Sequence, residues 1–313
     1  MAVTAASRSR FRHLALFYHS GGEYLSALCG FIRASRARGE AVLVAVPERN
    51  AERVRQGLGD ESADVAMVDM AELGRNPARI IPEVLTFAGK HRGECVCFIG
   101  EPIWPGRTAA EIREATRHEA LINLAFRDSP VTFLCPYDRA ALARSVIADA
   151  ASTHPAVIRD RQETASATYL GPAEVPPRCN RPLTRPPEQA ETLGYRDDLR
   201  QVRRFVATRA KGAGLAPPRI SDLVIAAGEL AGNTLRHTGA GGTVQVWLTS
   251  EEIICQVADT GHITDPLARY HVRSDELPGR NGLWLVNQVC DLVQARTGRA
   301  GTTTRLHMRL HQP

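Results

Sequence analysis

No stretch of the 313-residue sequence approaches the roughly 20 consecutive apolar residues that a helix needs to cross a bilayer. The opening segment MAVTAASRSRFRH also lacks an apolar run ahead of a cleavage-like site, so no membrane contact and a cytoplasmic location are expected. Aromatic residues make up only 5% of the chain, which leaves few platforms for stacking single-stranded nucleic acid. A one-sided basic stripe is missing too. The net charge of +5 comes from scattered arginines, so direct nucleic-acid binding is not expected, and acidic protein partners or phosphates account for the excess. The seven cysteines are odd in number and follow no regular framework, which reads as reduced thiols in a core-bearing protein. Cys95 and Cys97 form a C-x-C with no second pair at ligand spacing, so a structural role is expected rather than a metal site.

What is present is a soluble, globular composition, 43% hydrophobic and 23% charged, long enough for two domains. From Leu14 to about Ala151, short apolar runs alternate with longer amphipathic ones, the pattern of βαβ units feeding a parallel sheet. Strands are predicted at 14–18, 41–46, 65–69, 95–100 and 131–135. Helices are predicted at 23–38, 77–91, 109–126 and 139–151. The expected fold of residues 1–158 is a three-layer α/β domain. Residues 159–193, broken by Pro172, Pro176, Pro177, Pro182, Pro186 and Pro187, read as a proline-rich linker. Residues 194–313 then give helices near 197–210 and 221–236, strands at 243–249 and 253–259, a helix near 281–290, and strands at 292–297 and 303–310. Paired strands with segregated helices predict a two-layer α+β sandwich.

Chemistry concentrates in this second half. Glu229 and Asn233 stand four apart on one helix face, with His237 a further turn along. An amide in an otherwise apolar helix is costly without a partner, which points to a functional polar face. The strand IICQVA runs into Asp259-Thr260-Gly261, setting a carboxylate at the end of a buried strand where glycine allows close backbone approach. Gly279-Arg280-Asn281-Gly282-Leu283 then opens a helix, and a helix N-terminus behind small residues suits an anion. Each piece is common alone; their order and spacing together are specific.

That order, E-x-x-x-N, D-x-G, G-x-x-G-L and a terminal Gly301-Thr302-Thr303 strand, resembles the ATP-binding boxes of the gyrase, chaperone, histidine kinase and mismatch-repair superfamily (GHKL). The short segment left for a lid, with Arg269, Arg273 and Arg280, is similar to the anti-sigma-factor serine-kinase branch. The resemblance implies a histidine-kinase-like ATPase fold that binds ATP and magnesium. On this chain it implies that Asn233 holds magnesium, that Glu229 orients or deprotonates the attacking group, and that Asp259 accepts the adenine amino hydrogen. Gly261 would make room for the base, Gly279 and Gly282 would bring the lid and helix start to the phosphates, and Thr303 would help bind adenine; His237, Arg280 and Leu283 complete the set. One position departs from the family: Ile263 stands where a second glycine is common.

In the first half, ligands are expected outside the carboxyl ends of the strands, near His19, Glu48, Asp69, Glu101 and Tyr137. After the first strand, where a phosphate-binding loop would read G-x-x-x-x-G-K-S/T, the chain reads His19-Ser20-Gly21-Gly22-Glu23 with no lysine, so nucleotide hydrolysis by this half is not expected. The segments GRNPARIIP, GEPIWPGR, RHEALINLAF and CPYD resemble the methanogen/methylotroph sensory domain, MEDS. That resemblance implies a ligand-sensing module, with His19, Trp104, His118, Glu119, Cys135 and Tyr137 as a small-molecule pocket. The combined expectation is a regulator that sequesters a sigma factor, phosphorylates a serine or threonine of an anti-anti-sigma partner, or does both. Two alternatives stay open: a non-catalytic partner-binding module, and an atypical sensor histidine kinase. A homodimer is compatible with the sequence.

Overall fold

The computed structural model describes residues 11–270 and 282–310. The chain divides into two units, Met1–Cys179 and Asn180–Pro313.

In the first unit the strands are β1 (Arg12–Tyr18), β2 (Ala41–Val46), β3 (Ala66–Asp69), β4 (Val96–Gly100), β5 (Val131–Asp138), β6 (Ala156–Arg159) and β7 (Gln162–Ala165). They form one sheet in the order β3-β2-β4-β5-β1-β6-β7, parallel throughout except for the β6–β7 hairpin. Between them lie α1 (Gly21–Ala37), α2 (Glu48–Leu58), α3 (Met70–Leu73), α4 (Ile80–Lys90), α5 (Ala109–Ala125) and α6 (Arg144–Thr153). The central strands are apolar on both faces because both faces are covered. Leu14, Leu16 and Tyr18 of β1 pack with Tyr24, Leu28 and Ile32 of α1 and Val54 of α2. On the other face Phe133 of β5 meets Phe126, at the end of α5, with ring centroids 4.8 Å apart. This is the three-layer α/β arrangement. Helix starts are set locally: the Ser20 hydroxyl accepts the Glu23 amide, and Thr108 and Glu111 form a reciprocal capping box on α5.

In the second unit, β8 (Glu191–Tyr195), β9 (Gly242–Leu248), β10 (Glu252–Asp259), β11 (Leu292–Gly298) and β12 (Gly301–Arg309) pair antiparallel in the order β11-β12-β10-β9-β8. Helices α7 (Leu199–Gly212), α8 (Pro217–Thr238) and α9 (Gly282–Val289) contribute to a core on one side. Val202, Val206 and Ala210 of α7, and Leu223, Ala227, Leu230 and Ala231 of α8, meet Ile253, Cys255 and Val257 of β10 and Leu306 and Met308 of β12. That is the two-layer sandwich.

Four local differences from the sequence reading have physical causes. Helix α2 was not expected, since its apolar stripe is reduced to Ala51, Val54 and Leu58 among charges. The helix predicted from 139 starts at Arg144, because the Asp138 carboxylate takes the amides of Ala140 and Ala141 and holds a turn there. The helix predicted over 77–91 begins with a 3-10 turn at Pro77–Arg79 before α4. The segment 159–193, expected as a linker, is folded in part. It supplies the last residue of β6, all of β7 and, at its end, the start of β8. Thr184 accepts Arg305 Nη2 on its carbonyl oxygen at 2.7 Å, which docks that stretch on the second sheet.

Candidate functional site

Helix α8 starts with proline in its first turn and ends at Gly239 in the left-handed conformation, giving 22 residues in which Glu229 and Asn233 lie half-buried on one face. Strand β10 puts Ile253, Cys255 and Val257 into the core, and alternation carries Asp259, its last residue, onto the same helix-covered face. The two elements meet at Asp259. Its Oδ2 accepts the Thr234 hydroxyl at 2.6 Å, and its Oδ1 accepts the Gly261 amide at 2.7 Å. Two protein donors therefore fix the carboxylate at the sheet end, while an ionised carboxylate has further lone pairs for a ligand.

The terminal strand completes this corner. Thr302 lies opposite Asp259 in the β10–β12 register, and its hydroxyl donates to the Gly261 carbonyl at 2.8 Å and lies 2.9 Å from the Thr297 hydroxyl. Thr303, the residue expected to help bind adenine, pairs with Ala258 instead, and alternation sends it to the opposite face. Thr302 and Thr234 are the residues that sequence reasoning missed. The strand period of two, counted back from Leu306 and Met308, would have picked Thr302. Gly301 has φ +117°, and a Cβ there would stand 1.9 Å from the Asp259 carbonyl oxygen, so only glycine lets β12 start this close to β10.

At the other end of the face, Gly282 opens α9 against Glu229. A Cβ on Gly282 would lie 2.5 Å from Glu229 Oε2. Leu283 follows, half-buried against the core of the unit. The Asn233 Oδ1 accepts Arg236 Nη2 at 2.5 Å, so a cation approaching this oxygen meets a guanidinium already bound to it. His237 is exposed near the helix end. Ile263 donates its amide to the Thr297 hydroxyl at 3.4 Å. Gly279, Arg280 and Arg273 lie outside the described residues. The residues present fit the group that the boxes imply: a fixed carboxylate beside small residues for a base, and an acid and an amide on one helix face for magnesium and phosphate.

In the first unit, the residues expected to line a pocket do not all converge. His19 is exposed beyond the end of β1, its amide bound by Glu23 Oε2. Trp104 sits in a loop with the Arg107 guanidinium 4.4 Å from its ring centroid, a cation–π contact. His118 is buried on α5. Glu119, Cys135 and Tyr137 do come together, and with them two histidines that the sequence reading did not single out, His13 and His154. Glu119 Oε2 lies 2.9 Å from His13 Nε2 and 3.1 Å from His154 Nε2. Cys135 Sγ lies 3.6 Å from His13 Nε2. Burial, with His154 beside it, pushes His13 down to about 4. Burial next to Glu119 pushes the Cys135 thiol and the Tyr137 hydroxyl up. A histidine inside the apolar run of β1 was the available signal. A separate cavity of about 330 Å³ lies between α1 and the strands, lined by Leu16, Ala27, Phe31, Leu134 and Ile158.

At the carboxyl end of β4, Glu101 is buried and accepts the Tyr24 hydroxyl at 3.0 Å and the Asn50 amide at 2.9 Å. Burial pushes its carboxyl up to about 7 against these hydrogen bonds.

Comparison with known proteins follows the division into units. Residues 12–155 match the family described as "MEDS: MEthanogen/methylotroph, DcmR Sensory domain". Residues 195–308 match the family described as "Histidine kinase-like ATPase domain". No curated protein matches the chain. Among solved structures, the RsbU and RsbW domains of a Mycobacterium tuberculosis protein are similar at 22% identity and a TM-score of 0.31, over 41% of this chain and 34% of that one.

Proposed function

From a chain that joins a MEDS domain to a histidine kinase-like ATPase domain, we propose a signalling regulator whose second unit binds magnesium-ATP and acts, in the manner of an anti-sigma factor, on a sigma factor or an anti-anti-sigma partner. The observation that carries this reading is the Asp259 corner, where Thr234, Gly261 and Thr302 organise one carboxylate at the end of a buried strand. In it Asp259 accepts the adenine amino hydrogens and Gly261 leaves room for the base. Thr302 takes the part first given to Thr303. Asn233 supplies a hard oxygen to magnesium once Arg236 moves aside. Gly282 and the start of α9 approach the phosphates. Bound ATP supplies a transferable phosphoryl group, and Glu229 orients or deprotonates the hydroxyl that receives it.

The output in this reading is sequestration of a sigma factor, phosphorylation of a serine or threonine on an anti-anti-sigma partner, or both. The first unit is the sensory module, with a small-molecule ligand as its input. The test is phosphate transfer from labelled ATP to an anti-anti-sigma partner by the full chain. Transfer is expected with the native protein and is lost in Glu229→Ala while nucleotide binding persists. Transfer that survives this substitution removes Glu229 from the chemistry.

A second reading, in which the unit binds a partner without transferring phosphate, is favoured by the Arg236 guanidinium on Asn233 Oδ1 and by Ile263 at a position where glycine is common. Nucleotide binding and partner capture with no transfer to any hydroxyl would support it over the first.

A further inference from the structure

The His13, Glu119, Cys135 and His154 cluster lies on the α5/α6 face of the first sheet and is buried at all four positions. Its four donors come from β1, α5, β5 and the residue after α6, so the fold and not the sequence spacing assembles it. Residues 122 apart in the chain, His13 and Cys135, become neighbours because β1 and β5 are adjacent parallel strands.

The outer hydrogen bonds fix how each ring is protonated. The Asn123 amide nitrogen donates to the carbonyl oxygens of Glu119, Ala120 and Thr153, which leaves its Oδ1 facing His13 Nδ1 at 3.0 Å. An acceptor there requires the proton on His13 Nδ1. Likewise, His154 Nδ1 donates to the Ala150 carbonyl at 2.7 Å. In each neutral ring the lone pair is then on Nε2, and both Nε2 atoms face the Glu119 carboxylate. Among the described residues, Glu119 Oε1 has no hydrogen-bond partner, and His154 Nε2, 3.1 Å from Glu119 Oε2, makes no well-directed hydrogen bond. Two ring lone pairs, a carboxylate and a thiol thus converge with too few protons between them. Unpaired buried acceptors are costly, and a cation relieves that cost.

We propose that His13 Nε2, Glu119, Cys135 Sγ and His154 Nε2 bind one divalent transition-metal ion of the zinc class. A mixed nitrogen, sulfur and oxygen donor set suits zinc. Bond lengths of about 2.0–2.3 Å place tetrahedral donors roughly 3.3–3.8 Å apart. Of the observed separations, 3.6 Å falls in that range and 2.9 and 3.1 Å fall just below it, and all four donor atoms lie within 4.8 Å of one another. Asn123 and the Ala150 carbonyl hold the rings as outer-shell groups do at metal sites. Cys135 binds as thiolate, and its proton leaves to solvent. The ion's two positive charges are then balanced by Glu119 and Cys135. Loading ties α5 and α6 to the central strands, a means of setting their packing that does not depend on the nucleotide reading.

The test uses the full chain, produced in medium supplemented with zinc or with cobalt and passed over a chelating resin. Elemental analysis is expected to give one zinc per chain. The cobalt form is expected to show the intense visible bands of a tetrahedral ion and a near-ultraviolet thiolate-to-metal band. Cys135→Ser removes the thiolate band, and Cys135→Ser with His154→Ala lowers metal content by about tenfold or more. Cys97→Ser, buried on the opposite sheet face, leaves both intact. If these variants do not fold, the native cobalt spectrum decides. A folded native chain with no stoichiometric metal, or a cobalt spectrum of six-coordinate type without a thiolate band, overturns the proposal and leaves a proton-shared His–Glu–His network.

Discussion

Asp259 is held by Thr234 of α8 and by the Gly261 amide just beyond β10, and the strand register makes a sharp distinction between adjacent threonines. Thr302 shares the face of Asp259 and bonds the Gly261 carbonyl, whereas Thr303 does not. Thr302→Val is therefore expected to weaken nucleotide binding by up to about tenfold, the worth of one neutral hydrogen bond, and Thr303→Val to leave it unchanged. Competition with a fluorescent ATP analogue measures both. Equal losses would show that the register at this strand end is not what positions the base. Glu101 makes a separate prediction about stability. Its carboxyl is raised from 4.5 to about 7 by burial. The protonated form is favoured in the native state, so its contribution is complete below pH 4.5 and is lost as pH rises through 7. The loss is at most about 3 kcal/mol by linkage. Urea unfolding between pH 4.5 and 7.5 should show this decline, and Glu101→Gln should flatten it.

Among the elements, those that bury continuous apolar runs were legible in the sequence. Strands β1, β2, β4 and β5 announce themselves because both their faces are covered, and α8 because its polar residues fall four apart. What stayed hidden depends on neighbours supplied by topology. Strands β6, β7 and β8 are short, and β7 is exposed along its whole length, so no apolar run marks it. Helix α2 hides a three-residue stripe among charges. The boxes of the second unit were readable because they lie in order along the chain, while His13 and His154 meet Glu119 only through the pairing of distant strands. The docked stretch before β8 carries its own prediction. Arg305 holds it through the Thr184 carbonyl and also contacts Gln256 and the Trp247 ring. Arg305→Ala is expected to speed amide hydrogen exchange at Leu183, Thr184 and Arg185 well ahead of global unfolding. An unchanged exchange pattern would mean that other contacts hold this stretch.

On the scale of the whole molecule, two units with separate cores and different sheet types follow one another in a single chain. The first offers a buried donor cluster and the second a strand-end carboxylate beside a polar helix face. In the proposed reading the first takes an ion and the second a nucleotide, which would give a signalling regulator an input and an output. The account depends most on the second site. The measurement that tests it most directly is a calorimetric titration of magnesium-ATP into the folded full chain, run beside Asp259→Asn. Saturable binding at one site, weakened about tenfold or more when the carboxylate becomes an amide, is the predicted result. A native chain that shows no heat of binding, or an Asp259→Asn variant that binds as well as the native chain, would contradict the assignment of this corner to a nucleotide.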